Sequence, residues 1–243
     1  MDTTFNYSPN FDIKKRKKKE IKFLIFHYTG MKKEIDAINK LTNQESKVSS
    51  HYLIKKNGEI LKLVPDLYIS WHAGVSCWKN YKSLNKHSLG IEISNPGHEF
   101  KYKKFNQKQI NSILKLSKYL VKKYKIKSKY ILGHSDISPD RKKDPGEKFP
   151  WYDLSKKKIG LWHSLTIKKL IEARNQKITK IERNHFVRNL YNIGYAKNLN
   201  KKNINYSNIL SIAFQRRFRQ ELINGIIDKE CLIISKNLVK KFK

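Results

Sequence analysis

His27, His134 and Asp144 together offer two imidazoles and one carboxylate, a donor set suited to a metal ion. His134 and Asp144 lie in one run, Gly-His-Ser-Asp-Ile-Ser-Pro-Asp-Arg-Lys-Lys-Asp-Pro-Gly over residues 133–146, while His27 stands far upstream. Three such ligands with one position left open describe a catalytic zinc site, in which the ion lowers the pKa of a water to about 7 and makes hydroxide available near neutral pH. Spacing alone does not require this reading, since a histidine at a strand end is commonly a hydrogen-bonded structural residue.

The elements that must carry these groups are readable from periodicity. Ile21-Lys22-Phe23-Leu24-Ile25-Phe26 is a short apolar run of strand formers that delivers His27-Tyr28-Thr29-Gly30 to a loop, followed by a short helix over Ile35 to Leu41. Asn57-Gly58 between two strand-like runs predicts an antiparallel hairpin. Leu89-Gly90-Ile91-Glu92-Ile93-Ser94 alternates, so Glu92 points away from Ile91 and Ile93. Ile110, Ile113, Leu114, Ser117, Leu120, Val121 and Tyr124 recur at helical spacing and predict an amphipathic helix from about Asn106 to Lys125, after which Tyr130-Ile131-Leu132-Gly133 presents His134. Strands alternating with helices give an α/β (α+β) chain with a mixed central β-sheet flanked by helices.

Beyond Trp162 to Lys177, which reads as a helix dissolving into polar sequence, Phe186 to Tyr195, Ser207 to Phe218 and Lys229 to Leu238 make three amphipathic segments. The expected organisation is a mobile basic arm over 1–20, a catalytic domain over 21–163, a helical linker over 164–180 and a small C-terminal helical module over 181–243.

Composition narrows the class. With 39% hydrophobic and 12% aromatic residues the chain can bury a sizeable core. Cys77 and Cys231 match no disulfide or metal spacing. No run of apolar residues is long enough to span a membrane, and the first twenty residues lack the apolar stretch of a signal peptide, which favours the cytoplasm, with the periplasm as the alternative. The formal charge of +33, with the run Lys14 to Lys19, would attract any polyanion. Because the charge is spread along the whole chain with no nucleic-acid-reading motif, no specific nucleic-acid partner is expected. No oligomeric state is read from the sequence.

Six separated segments then carry a resemblance: Phe26-His27-Tyr28-Thr29, Ser49-Ser50-His51-Tyr52, Trp71-His72-Ala73-Gly74, Leu89-Gly90-Ile91-Glu92-Ile93, Gly133-His134-Ser135-Asp136 and Lys142-Lys143-Asp144-Pro145-Gly146. In this order, over about residues 21–163, they resemble the zinc-dependent N-acetylmuramoyl-L-alanine amidases of the type 2 amidase family. The resemblance implies Zn2+ held by His27, His134 and Asp144, Glu92 as general base, and Lys142 steadying developing negative charge. It further implies cleavage of the amide between N-acetylmuramic acid and L-alanine in peptidoglycan or muropeptides, with His51, Tyr52, Trp71, His72 and Asn95 lining or supporting the substrate groove. One branch of the superfamily places a catalytic tyrosine near the hairpin, where this chain offers Ser50.

His87, His98, His163 and His185 match nothing in those motifs and read as surface or packing residues. The C-terminal segment resembles the three-helix peptidoglycan-binding modules appended to such amidases, so removing residues 181–243 is expected to spare activity on small muropeptides. The competing reading is a non-catalytic recognition protein that grips muropeptides, which has no chemical need for an open metal site beside a base.

Overall fold

The computed structural model describes residues 3–197 and 205–242. Its strands are β1 (Thr4–Phe5), β2 (Phe11–Asp12), β3 (Phe23–Tyr28), β4 (Tyr52–Ile54), β5 (Ile60–Lys62), β6 (Ile69–Ser70), β7 (Cys77–Trp78), β8 (Tyr81–Lys82), β9 (Ser88–Ile93) and β10 (Ile131–Gly133). The helices are α1 (Glu34–Thr42), α2 (Gln107–Tyr124), α3 (His134–Ile137), α4 (Trp151–Lys156), α5 (Ile167–Ala173), α6 (Lys180–Ile193), α7 (Tyr206–Phe218) and α8 (Lys229–Phe242). Six strands form the central sheet in the order β1-β5-β4-β9-β3-β10, mixed because only β4 and β5 pair antiparallel. No described helix is long and apolar enough to cross a membrane.

Alternation along the strands divides the sheet into two apolar faces. Leu24 and Phe26 of β3 join Leu89, Ile91 and Ile93 of β9 under α2, whose Ile113, Leu116 and Leu120 complete one core. Helix α2 starts where Asn106 and Gln109 satisfy each other's backbone amides, at 3.0 and 3.2 Å, a capping box that fixes its first turn. Phe23 and Ile25 of β3 and Leu132 of β10 face the other way. They are covered by Phe186 and Leu190 of α6, Phe214 and Phe218 of α7, and Leu232 and Leu238 of α8.

This second core corrects the expected division of the chain. Residues of the C-terminal module are the lid on one face of the central sheet, and among the described residues they share their core with β3 and β10. The amphipathic faces were legible; what they would cover was not. Residues 198–204 of that expected module lie outside the described residues. The linker helix is shorter than expected, confined to α5.

The basic N-terminal segment, expected as a mobile arm, packs against the rest of the chain over its described residues 3–20. β1 pairs with β5 and β2 with β6. Arg16 is buried and spreads its guanidinium over the carbonyls of Asp66 (2.9 Å), Asn85 (3.0 Å) and Lys86 (3.3 Å). A planar fork with five donors meets such a cluster of acceptors, which a lysine could not.

Candidate active site

β3 and β9 are parallel neighbours in which His27 is paired with Glu92, so the two side chains rise from the same face on strands about 4.8 Å apart. β10 lies on the other side of β3, and α3 begins directly at its end with His134. The returning loop is fixed to that turn, because the Ser135 amide donates to the Asp144 carbonyl at 2.8 Å. Gly133 allows the approach: a Cβ there would stand 2.6 Å from Pro145 Cδ.

Three donor atoms converge as a result. His27 Nδ1 and His134 Nδ1 are 2.9 Å apart, and Asp144 Oδ2 is 3.0 Å from each. All three residues are buried. The far nitrogen of His134, Nε2, lies 3.2 Å from the Ala73 carbonyl, which only accepts, so Nδ1 is left with its lone pair toward the other two ligands. Two ring lone pairs and a carboxylate oxygen facing one another, with no room for water between them, are the donors a divalent cation requires.

Electrostatics agree with that use. Burial pushes His27 down to about 4, helped by His134 and opposed by the Asp144 carboxylate, so the ring stays neutral and able to ligate near pH 7. For Asp144, burial works upward but the two histidines outweigh it, and the carboxyl titrates well below its usual range. Glu92 moves the other way: burial and then the Asp144 charge push it up to about 8, against the pull of Lys142. Its Oε2 is enclosed and without a hydrogen-bond partner. A half-buried carboxyl with an enclosed oxygen, a raised pKa and a spare lone pair beside a metal-type donor set is poised for proton transfer near neutral pH.

These groups floor a cavity of about 320 Å³, a size that admits a small ligand. Trp71, His72, Glu92 and Lys142 line it together with the side chains of His27, His134 and Asp144. The Trp71 indole is held by Asp12 Oδ1 at 2.7 Å, and Arg141 and Lys143 stand at the rim.

Three expected groove residues do not line it. His51 is fully buried, its Nδ1 accepting from the Gly90 amide at 3.1 Å, and it supports the floor from beneath. Tyr52 faces the α2 core and donates to Asp66 at 2.5 Å. Asn95 closes the loop after β9, accepting from the Gly97 amide and donating to the Lys103 carbonyl. Conversely His98, read as a surface or packing residue, reaches the cavity wall, bonded to Tyr28 Oη at 2.8 Å and Glu147 at 3.0 Å. It has no motif around it, so only the fold reveals it.

Comparison with known proteins fits this geometry. A profile described as N-acetylmuramoyl-L-alanine amidase matches residues 17–147. N-acetylmuramoyl-L-alanine amidase AmiD of Escherichia coli is 33% identical over 234 residues, 91% of this chain and 83% of the relative. The 1,6-anhydro-N-acetylmuramyl-L-alanine amidase AmpD of Haemophilus influenzae is 33% identical over 162 residues, 59% of this chain and 85% of its own. Among solved structures, AmiD of E. coli in complex with the substrate anhydro-N-acetylmuramic acid-L-Ala-D-gamma-Glu-L-Lys superposes with a TM-score of 0.79 at 32% identity, covering 91% of this chain and 90% of that one. AmpDh3 from Pseudomonas aeruginosa gives 0.80 at 29% identity, covering 96% of both.

Proposed function

This chain belongs to the N-acetylmuramoyl-L-alanine amidase family, and from that premise we propose that His27, His134 and Asp144 hold a zinc ion in a site where Glu92 and Lys142 carry out the hydrolysis. The reaction is cleavage of the amide between N-acetylmuramic acid, or its 1,6-anhydro form, and L-alanine, in the turnover and recycling of cell-wall fragments. The observation that carries the assignment of roles is the register of β3 and β9, which sets Glu92, with an unpartnered Oε2, beside the first of three converging metal-type donors.

When bound, zinc supplies Lewis acidity to the scissile carbonyl and makes hydroxide available near neutral pH. Glu92 takes the proton of the attacking water on Oε2 and returns it to the nitrogen of the departing L-alanine. Lys142, half-buried on the cavity wall and acting electrostatically on both His27 and Glu92, offsets the charge that builds on the carbonyl oxygen. Trp71 offers a flat apolar surface to the sugar, and Arg141 and Lys143 at the rim attract the carboxylates of the stem peptide. The hydrolysis needs no covalent intermediate on the protein.

Incubation with defined anhydro-muropeptides, read by mass spectrometry, tests this. Free L-alanyl peptide and free anhydro-N-acetylmuramic acid are expected with zinc present and not after chelation. Intact muropeptide after zinc loading overturns the assignment.

A further inference from the structure

β9 carries Ser88, Gly90 and Glu92 at alternate positions, opposite Phe23, Ile25 and His27 of β3, so all three face the side on which His27 lies. That strip is polar or bare where the neighbouring strand is apolar, and the ring of His72 fills it. A Cβ on Gly90 would stand 2.5 Å from His72 Cγ and 2.7 Å from Nδ1, so the imidazole lies against the Gly90 backbone in space that any side chain would take. Asn85 pins the loop above, its Oδ1 accepting from the amides of His72 at 3.1 Å and Ala73 at 2.7 Å.

The direction of each hydrogen bond in this group is fixed by its far end. Ser88 Oγ is 2.6 Å from the Leu84 carbonyl, which only accepts, so the single hydroxyl hydrogen points there. His72 Nε2, 3.0 Å from the same Oγ, therefore donates, and its Nδ1 keeps a lone pair. His27 Nε2, 2.9 Å from that Nδ1, donates in turn, and its own Nδ1 is left with the lone pair that faces His134 and Asp144.

We propose that His72, seated on Gly90 and anchored by Ser88, is a positioning residue that locks His27 in the Nε2–H tautomer and so presents Nδ1 to the cation. The inference rests on His27, His134 and Asp144 being the cation site. Ala73 does the same for His134 through its carbonyl, so two consecutive residues of one loop orient both imidazoles.

Long-range proton–nitrogen correlation spectra of the metal-free protein read ring tautomers directly, and competition against a chelator reads zinc affinity. Wild-type His27 is expected wholly in the Nε2–H form. His72→Ala is expected to weaken zinc binding about 10- to 100-fold, the usual effect of losing a group that orients a ligand, and Ser88→Ala about 10-fold, with a mixture of His27 tautomers. His72→Asn, whose Oδ1 takes the place of Nδ1 and accepts from His27, is expected to restore affinity to within roughly 3-fold of wild type. Should His72→Ala fail to fold, Ser88→Ala and His72→Asn decide the matter. Wild-type affinity and an unchanged His27 tautomer in Ser88→Ala overturn the positioning role, as does a wild-type His27 in the Nδ1–H form. A wild-type protein that binds no zinc overturns the cation site itself, a distinguishable result.

Discussion

Arg217 of α7 donates to the carboxylate of Asp136, two residues past His134. The same guanidinium reaches the Ile131 carbonyl at 3.0 Å and stacks over Trp151 at 4.0 Å, while Asp136 accepts from the Gly133 amide at 2.8 Å and from Tyr195 Oη at 2.9 Å. A helix from the last quarter of the chain thus grips both ends of β10, the strand that delivers a metal-type ligand.

Arg217→Met is expected to cost about 3–5 kcal/mol, because Asp136 is left buried and charged without its partner. Asp136→Asn with Arg217→Met should recover much of that loss, which urea unfolding of the two variants measures. Deleting residues 181–243 uncovers Phe23, Ile25 and Leu132 and removes Phe186, Leu190, Phe214 and Leu232 from the shared core. Each such side chain contributes about 2 kcal/mol, so the sum rivals the whole stability of a domain, about 5–15 kcal/mol. The truncated chain is expected to lose activity on small muropeptides, the reverse of what a separately standing module predicts.

Glu92→Gln should keep the metal and lower kcat by about 10²–10⁴, the size of a positioned acid–base group. A second, independent readout is stability. In the metal-free protein the Glu92 pKa is raised in the folded state, so its contribution is full below the ordinary carboxylate value of 4.5 and is lost as pH rises through about 8. His27, pushed down to about 4, acts in the opposite sense, losing stability as pH falls from 6.5, but it is common to both proteins. Urea unfolding at pH 5 and pH 8 should therefore show wild type losing roughly 3 kcal/mol relative to the Gln variant, after discounting for the residue's partial exposure. A pH-independent difference removes Glu92 from the role of buried base.

Much of this site is legible in the sequence because its groups sit at the ends of short, strongly patterned strands. Alternation at Ile91-Glu92-Ile93 puts Glu92 on the opposite face, and the β3 run stops where His27 begins. What periodicity does not convey is which surface a helix face will cover. The stripes of α6, α7 and α8 look the same whether they close on one another or on β3 and β10. Arg16 is hidden for a different reason: it sits among lysines, and only the carbonyls of residues 66, 85 and 86, brought together by folding, distinguish it. Ser88 and Gly90 are small residues whose importance lies in the space and the single acceptor they leave for His72.

Lys142 lines the cavity, and its proposed role is to offset the negative charge that develops on the substrate. Lys142→Ala is expected to reduce kcat about 10²- to 10³-fold with little change in KM, as for the loss of one donor to an oxyanion. Lys142→Arg keeps the charge and should lose less. Steady-state kinetics on a soluble muropeptide separate the two constants, and an unchanged kcat in the alanine variant assigns Lys142 to the solvated basic loop.

Within the basic N-terminal run, only Arg16 is buried. Arg16→Ala strands the acceptors it serves and is expected to cost about 2–4 kcal/mol in urea unfolding. Alanine at the exposed Lys14, Lys15, Lys17, Lys18 or Lys19 should stay within about 0.5 kcal/mol of wild type. Equal effects along the run contradict the clamp.

Removing divalent cations should act on folding as well as on catalysis, because the three donors come from β3, the start of α3 and the loop at Asp144, and a bound ion ties those elements together. A ligand that binds only the folded chain stabilises it by about 4 kcal/mol when present at a thousand times its Kd. Thermal unfolding with added zinc should thus occur several degrees above that of chelated protein, and His134→Ala should abolish the difference while also abolishing hydrolysis. Affinity should fall as the pH drops through about 4, where a proton competes with the ion for the His27 nitrogen and must be displaced on binding. The measurement is the zinc-dependent shift in Tm at pH 7.5, 5 and 4: a shift largely kept at pH 5 and much reduced at pH 4 is the expected outcome. A shift that survives His134→Ala places the ion elsewhere on the protein.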